Sequence, residues 1–144
     1  MAIRTTTVSR RRALFEEAVE IIEHEYANDL ELDAVARRLA TSRRQLQRAF
    51  AEAGKTSFRT HLAHVRMRKA MELLQEGSLP VREVATSVGY RQAAQFAKTF
   101  RRHHGRAPSS VRREAHAAGA RNDGDGPRVH KLGAPELSRS AQAA

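Results

Sequence analysis

The sequence predicts an all-α fold of about seven helices, in which one two-helix unit is used twice around a single long helix. Three observations carry this. From Ser9 to His116 the apolar residues recur at spacings of three and four, the period of helices with one buried face. No stretch alternates apolar and polar residues between turn signals, so no strand is predicted. Two segments about 50 residues apart share one apolar pattern.

The first helix is predicted from Ser9, a candidate N-cap, to Ala27, with Leu14, Phe15, Ala18, Ile21, Ile22 and Tyr26 as its apolar stripe. Residues 1–8 are expected to be a flexible basic N-terminus. A short helix follows, with Val35, Ala36 and Leu39 inside and Arg37 and Arg38 outside. Ser42 opens the next helix, and Gln45 three residues later completes a capping-box pattern. Leu46, Ala49 and Phe50 are its inner face, and "AGKTS" at 53–57 breaks it. A long helix spans 57–76, with Phe58, Leu62, Val65, Ala70, Leu73 and Leu74 on its apolar side. Pro80 is placed to open a short helix that buries Val81, Val84, Ala85 and Val88, and Gly89 turns the chain. Phe96 and Phe100 mark the inner face of the sixth helix, and a seventh runs from about Pro108 to His116. Residues 117–144 contain only Val129, Leu132 and Leu137 as large apolar residues, and are expected to be disordered.

Val35 and Ala36 match Val84 and Ala85, while Leu46 and Phe50 match Phe96 and Phe100 with one residue added in the turn. Each copy is a short helix, a tight turn and a second amphipathic helix: a helix-turn-helix unit. The chain thus divides into a first subdomain at 9–56, a linker helix at 57–76 and a second subdomain at 77–116. A helix of some 19 residues is about 28 Å long. Successive major grooves on one side of B-DNA lie about 34 Å apart, so such a strut can hold two second helices in adjacent grooves.

Charge agrees with that use. The formal net charge is +10, and 22 of the 26 basic residues are Arg. Planar guanidinium makes bidentate contacts to phosphate and to guanine edges. There is no Cys, which excludes disulfides, thiolate catalysis and Cys-ligated metals. No apolar run is long enough to span a bilayer, and "MAIRTTTVSRRR" lacks the apolar core of a signal peptide. A location in the cytoplasm, on the nucleoid, is expected. His61 with His64, and His103 with His104, lack carboxylate or thiol companions in a ligand motif, so no metal and no cofactor is expected. There is no P-loop, nucleophile elbow or dinucleotide fingerprint, and no enzyme is predicted.

From about Tyr26 to Arg113 the chain resembles the DNA-binding domain of the AraC/XylS family of bacterial transcription regulators, a homeodomain-like bundle with two helix-turn-helix motifs. The resemblance lies in "LDAVARRLATSRRQLQRAF", "GKTSFRTHLAHVRMRKAMELL" and "VREVATSVGY…FAKTFRRHHGRAPSSVR". Its more specific part is the order Val84-Ala85, Gly89-Tyr90, Phe96, Phe100, Gly105, Pro108 and Arg112. Family members usually carry a larger sensing or dimerising domain. This chain resembles the small standalone members that act as monomers, or a separated DNA-binding domain. Ala40 stands where the second copy has Gly89, which costs about 1 kcal/mol if that turn needs positive φ.

By resemblance, the family's base-reading positions fall on Arg44, Gln47 and Arg48, which lie opposite Leu46, Ala49 and Phe50. In the second copy they map to Ala94, Ala97 and Lys98, and Ala can only touch a thymine methyl. The candidate base-reading set is therefore Arg44, Gln47, Arg48, Gln95 and Lys98. The candidate backbone set is Ser42, Arg43, Arg91, Gln92 and Arg102. The first unit is expected to discriminate sequence and the second mainly to anchor. The expected partners are double-stranded DNA, bound by a monomer, and RNA polymerase, with the exposed glutamates of the first helix as one face for it. The alternative is a non-specific nucleic-acid-binding protein.

Overall fold

The computed structural model describes residues 2–120, and their side chains from Thr6 onward. Seven helices are present among the described residues: α1 (Ala2–Glu25), α2 (Leu32–Arg38), α3 (Arg43–Ala53), α4 (Phe58–Glu76), α5 (Val81–Ser87), α6 (Ala93–His104) and α7 (residues 108–120). None of these residues is in a strand.

Two expectations at the ends are corrected. The helix begins at Ala2, so Ser9 lies inside α1 instead of capping it, and residues 2–8 are helical. No Gly or Pro interrupts residues 2–26, and extending an existing helix avoids the cost of nucleation. At the other end α7 continues to residue 120, four past the expected stop, through an Ala-rich stretch of strong helix formers. The rest of the predicted tail lies outside the described residues. Pro80 also shifts by one: it is the N-cap of α5, with extended ψ, and Val81 is the first helical residue.

Two apolar cores sit on either side of α4. The first joins Ala18 and Ile22 of α1, Val35 and Ala36 of α2, Leu46, Ala49 and Phe50 of α3, and Phe58, Leu62 and Val65 of α4. The second joins Met67, Ala70 and Leu74 of α4 with Val84, Ala85, Val88, Phe96, Phe100 and Val111. Neither core contains a buried polar or charged residue. Phe50 is the hub of the first, meeting the Phe15 ring edge-on at 5.2 Å and that of Phe58 at 5.8 Å. Gly54 allows this packing, because a Cβ there would stand 2.3 Å from the Phe15 ring.

The cores are tied together where α1 ends. Tyr26 packs against both. Arg66, midway along α4, donates from Nε to the Tyr26 carbonyl (2.7 Å) and from Nη2 to the Asn28 carbonyl (2.8 Å). Its guanidinium also lies 5.6 Å from the centre of the Tyr90 ring. One side chain thus joins the end of α1 to the turn of the second unit.

Candidate nucleic-acid interface

The two helix-turn-helix units share one backbone plan. In the first turn the amide of Ala40 donates to the Arg37 carbonyl and that of Thr41 to the Ala36 carbonyl; in the second, Gly89 donates to Thr86 and Tyr90 to Ala85. All four bonds are 2.9–3.1 Å. Ala40 has φ +54° and Gly89 φ +98°, so both turns use the left-handed region. At Gly89 a Cβ would also press on the Arg66 guanidinium at 3.0 Å, which explains why the second turn keeps Gly while the first holds Ala under strain.

Each turn delivers its second helix with one face buried. In α3, Leu46, Ala49 and Phe50 are fully buried; in α6, Phe96 and Phe100 are. The 3.6-residue period then forces the remaining positions outward. Arg44, Gln47 and Arg48 are exposed on α3, as are Gln95 and Lys98 on α6. Ala94 is exposed and Ala97 half-buried, so the matching face of α6 is largely methyl groups. Among the described residues, Arg44, Arg48 and Lys98 make no ion pair. Their charges face solvent without an intramolecular partner.

The candidate backbone contacts are also at the surface, each held differently. The Ser42 hydroxyl caps α3 by accepting the Gln45 amide at 3.1 Å. Gln92 is the N-cap of α6 without a side-chain cap bond. Arg43 faces Asp33 across 3.4 Å, and Arg91 faces Asp29 across 3.7 Å with both side chains at least 80% exposed. Exposed pairs of this kind contribute little, so phosphate can replace the carboxylate at small cost. Arg102 is exposed in the last turn of α6 with Arg101, His103 and His104, where positive charge also suits the helix dipole.

Neither histidine pair forms a ligand cluster. No group of three or more His, Asp or Glu that could hold a metal is found among the described residues. His64 Nδ1 meets His103 Nε2 at 3.0 Å, and His104 Nε2 lies 3.1 Å from the Met67 carbonyl, joining α6 to α4. His61 is half-buried beside the Phe15 and Phe50 rings. No helix among the described residues is long and apolar enough to cross a membrane.

Comparison with known proteins decides the family. The model of a helix-turn-helix domain matches residues 35–114, spanning both units and the strut. The chain belongs to the AraC-type helix-turn-helix family. The uncharacterised HTH-type transcriptional regulator YijO of Escherichia coli is 35% identical over 111 residues, 77% of this chain and 39% of that protein. The Msm operon regulatory protein of Streptococcus mutans is 29% identical, over 74% of this chain and 38% of its own length. The chain therefore spans under two-fifths of these relatives. Among solved structures, the C-terminal domain of AraT, a response regulator from Geobacillus stearothermophilus, has a TM-score of 0.68 at 33% identity, covering 70% of this chain and 84% of that one. The DNA-binding domain of AdpA, solved in complex with a target DNA, has a TM-score of 0.65 at 28% identity, covering 73% and 94%.

All ten residues expected at the interface of this AraC-type domain are exposed on or beside its two second helices. Two contributors escaped the sequence reading. Arg66 looks like any Arg on a long helix until the fold brings Tyr26, Asn28 and Tyr90 to it. Glu52 takes an ion pair from Arg11 and clamps α1 across α3, a contact 41 residues apart that no local pattern signals.

Proposed function

We propose that this AraC-type chain is a sequence-specific, double-stranded DNA-binding transcription regulator that presents α3 and α6 to adjacent major grooves. The observation that carries this is the repeated unit itself. Two turns with the same hydrogen bonds each deliver a helix whose inner face is anchored and whose outer face is polar. The 19-residue α4 between them supports spanning adjacent grooves.

In this reading Arg44, Gln47 and Arg48 read base edges, each good bidentate pair discriminating by about 1–3 kcal/mol. Gln95 adds weaker readout from the second groove, where Lys98, also a base-reading candidate, mainly anchors the duplex without base preference. Ser42, Arg43, Arg91, Gln92 and Arg102 position the duplex through phosphates. Two non-equivalent units in one chain bind as a monomer on an asymmetric site. The exposed carboxylates Glu16, Glu17 and Glu20 of α1 supply a face for RNA polymerase, and the protein works on the nucleoid in the cytoplasm. Because the matched relatives are more than twice as long, the chain also fits the DNA-reading part of a larger, ligand-responsive regulator.

Competition at physiological salt tests the reading. A selected site should bind at least ~10³-fold more tightly than unrelated duplex of equal length. Equal competition by unrelated duplex would make the chain a non-specific nucleic-acid-binding protein.

A further inference from the structure

The face of α1 that builds the first core changes chemistry along its length. Leu14, Phe15, Ala18 and Ile22 pack against α3 and α4. One and two turns earlier, the same stripe carries Arg10 and Arg11, then Thr6 and Thr7. Thr6 and Arg10 are exposed, and Thr7 and Arg11 are half-buried. Together with Leu14 they form one wall of a groove of about 810 Å³ whose other wall is Leu39, Ala40 and Thr41 of the first turn and Gln45 of α3. The groove therefore borders the start of the first recognition helix.

Its charge is unbalanced. Arg11 is committed to Glu52, which fixes α1 across α3. Arg10 is exposed and makes no ion pair among the described residues. Arg44, one residue before Gln45 in the first turn of α3, likewise makes no ion pair among the described residues, and the helix dipole there is itself positive, whereas Arg43 is paired with Asp33. Cations gathered without a counter-charge raise the energy of the free protein and are relieved by an anion. A pocket for a small anion and a track for a polyanion share this chemistry. The adjoining turn and recognition helix favour the polyanion, because a backbone flanking the groove that α3 enters would pass this wall.

We propose that the N-terminal half of α1 is a third DNA-contacting element, with Arg10 holding a phosphate outside the site covered by α3 and α6. This rests on the DNA-binding reading and extends its footprint outward from the first unit. Arg12 is an internal control: it is exposed on the same helix but does not line the groove.

The test compares the full chain with Arg10→Ala and Arg12→Ala, by salt-dependent affinity and hydroxyl-radical footprinting. Arg10→Ala should lower the slope of log affinity against log salt by about one phosphate contact, on selected and unrelated duplex alike. It should also lose protection at the outer edge of the first unit only. Helicity should not change, because Arg10 is at the surface. Arg12→Ala should leave both readouts as in the parent. An unchanged slope and footprint for Arg10→Ala, or equal losses for the two variants, overturns the proposal. A parent chain with no discrete footprint overturns sequence-specific reading instead, while the slope on unrelated duplex still decides the Arg10 contact.

Discussion

At the residue scale, the two turns are a matched pair with opposite strain. Both turns need positive φ: Ala40 sits at +54° with a Cβ that disfavours it, and Gly89 at +98° without one. Ala40→Gly should stabilise the fold by about 1 kcal/mol, and Gly89→Ala should cost more than that because the new methyl also meets Arg66. Urea midpoints of the two variants, shifting in opposite directions, check this. The Ala40 strain was legible from the repeat alone, because aligning the copies puts it on a Gly. The surroundings of His61 were not legible. Burial, with the Phe15 and Phe50 rings packed beside it, pushes its imidazole below the usual range, His64 and Arg68 push the same way, and Glu23 opposes. His103 is lowered too, by burial and then by His104 and His64. The folded state thus binds these protons less tightly than the unfolded chain, where the value is about 6.5. The stability tied to the neutral rings is full above that pH and is lost as pH falls below it. Urea unfolding between about pH 7.5 and 5.5 should show a falling midpoint, and His61→Phe a smaller fall. An equal fall in the variant would assign the effect elsewhere.

Among the elements, the interior boundaries were readable because each rests on a local signal. Ser57 accepts the Thr60 amide at 3.1 Å and caps α4, and Gly77 closes it in the left-handed region at φ +93°. Such caps and stops act within one turn and are visible in a single chain. The start of α1 was misread for the same reason. Ser9 has the chemistry of a cap, but nothing upstream breaks the helix. The two recognition helices differ in this respect: α3 is capped by the Ser42 side chain, and α6 begins at Ala93 after Gln92, an N-cap with no side-chain cap bond. Ser42→Ala should cost about 1 kcal/mol, and Gln92→Ser should gain a similar amount. Thermal unfolding of both variants measures it. Loss of stability in Gln92→Ser would mean that Gln92 makes a contact in the free protein beyond those described.

Over the whole molecule, function depends on how α4 holds two units that are alike in backbone and unlike in surface. The shared backbone was visible as a sequence repeat, and so was the contrast between Arg44, Gln47 and Arg48 and the alanine-rich face of α6. What the repeat could not reveal is the fastening. Arg66, Tyr26 and the Arg11–Glu52 pair join segments that lie far apart in sequence. Unequal surfaces predict unequal mutants. Arg48→Ala should relax preference at one base pair by about 1–3 kcal/mol, whereas Lys98→Ala should weaken every site similarly and lower the salt slope by about one. Affinities over a panel of single-base variants separate these outcomes. A change of base preference in Lys98→Ala would remove the asymmetry between the units.

The most direct measurement is selection of binding sites from random duplex DNA with the purified chain, followed by sequencing of the bound pool. The structure predicts an asymmetric site of two blocks about one helical turn apart, bound by one protein molecule. The block read by α3 should be sharply defined and the one under α6 degenerate. A palindrome, a single block, or a pool no different from the input would contradict the account.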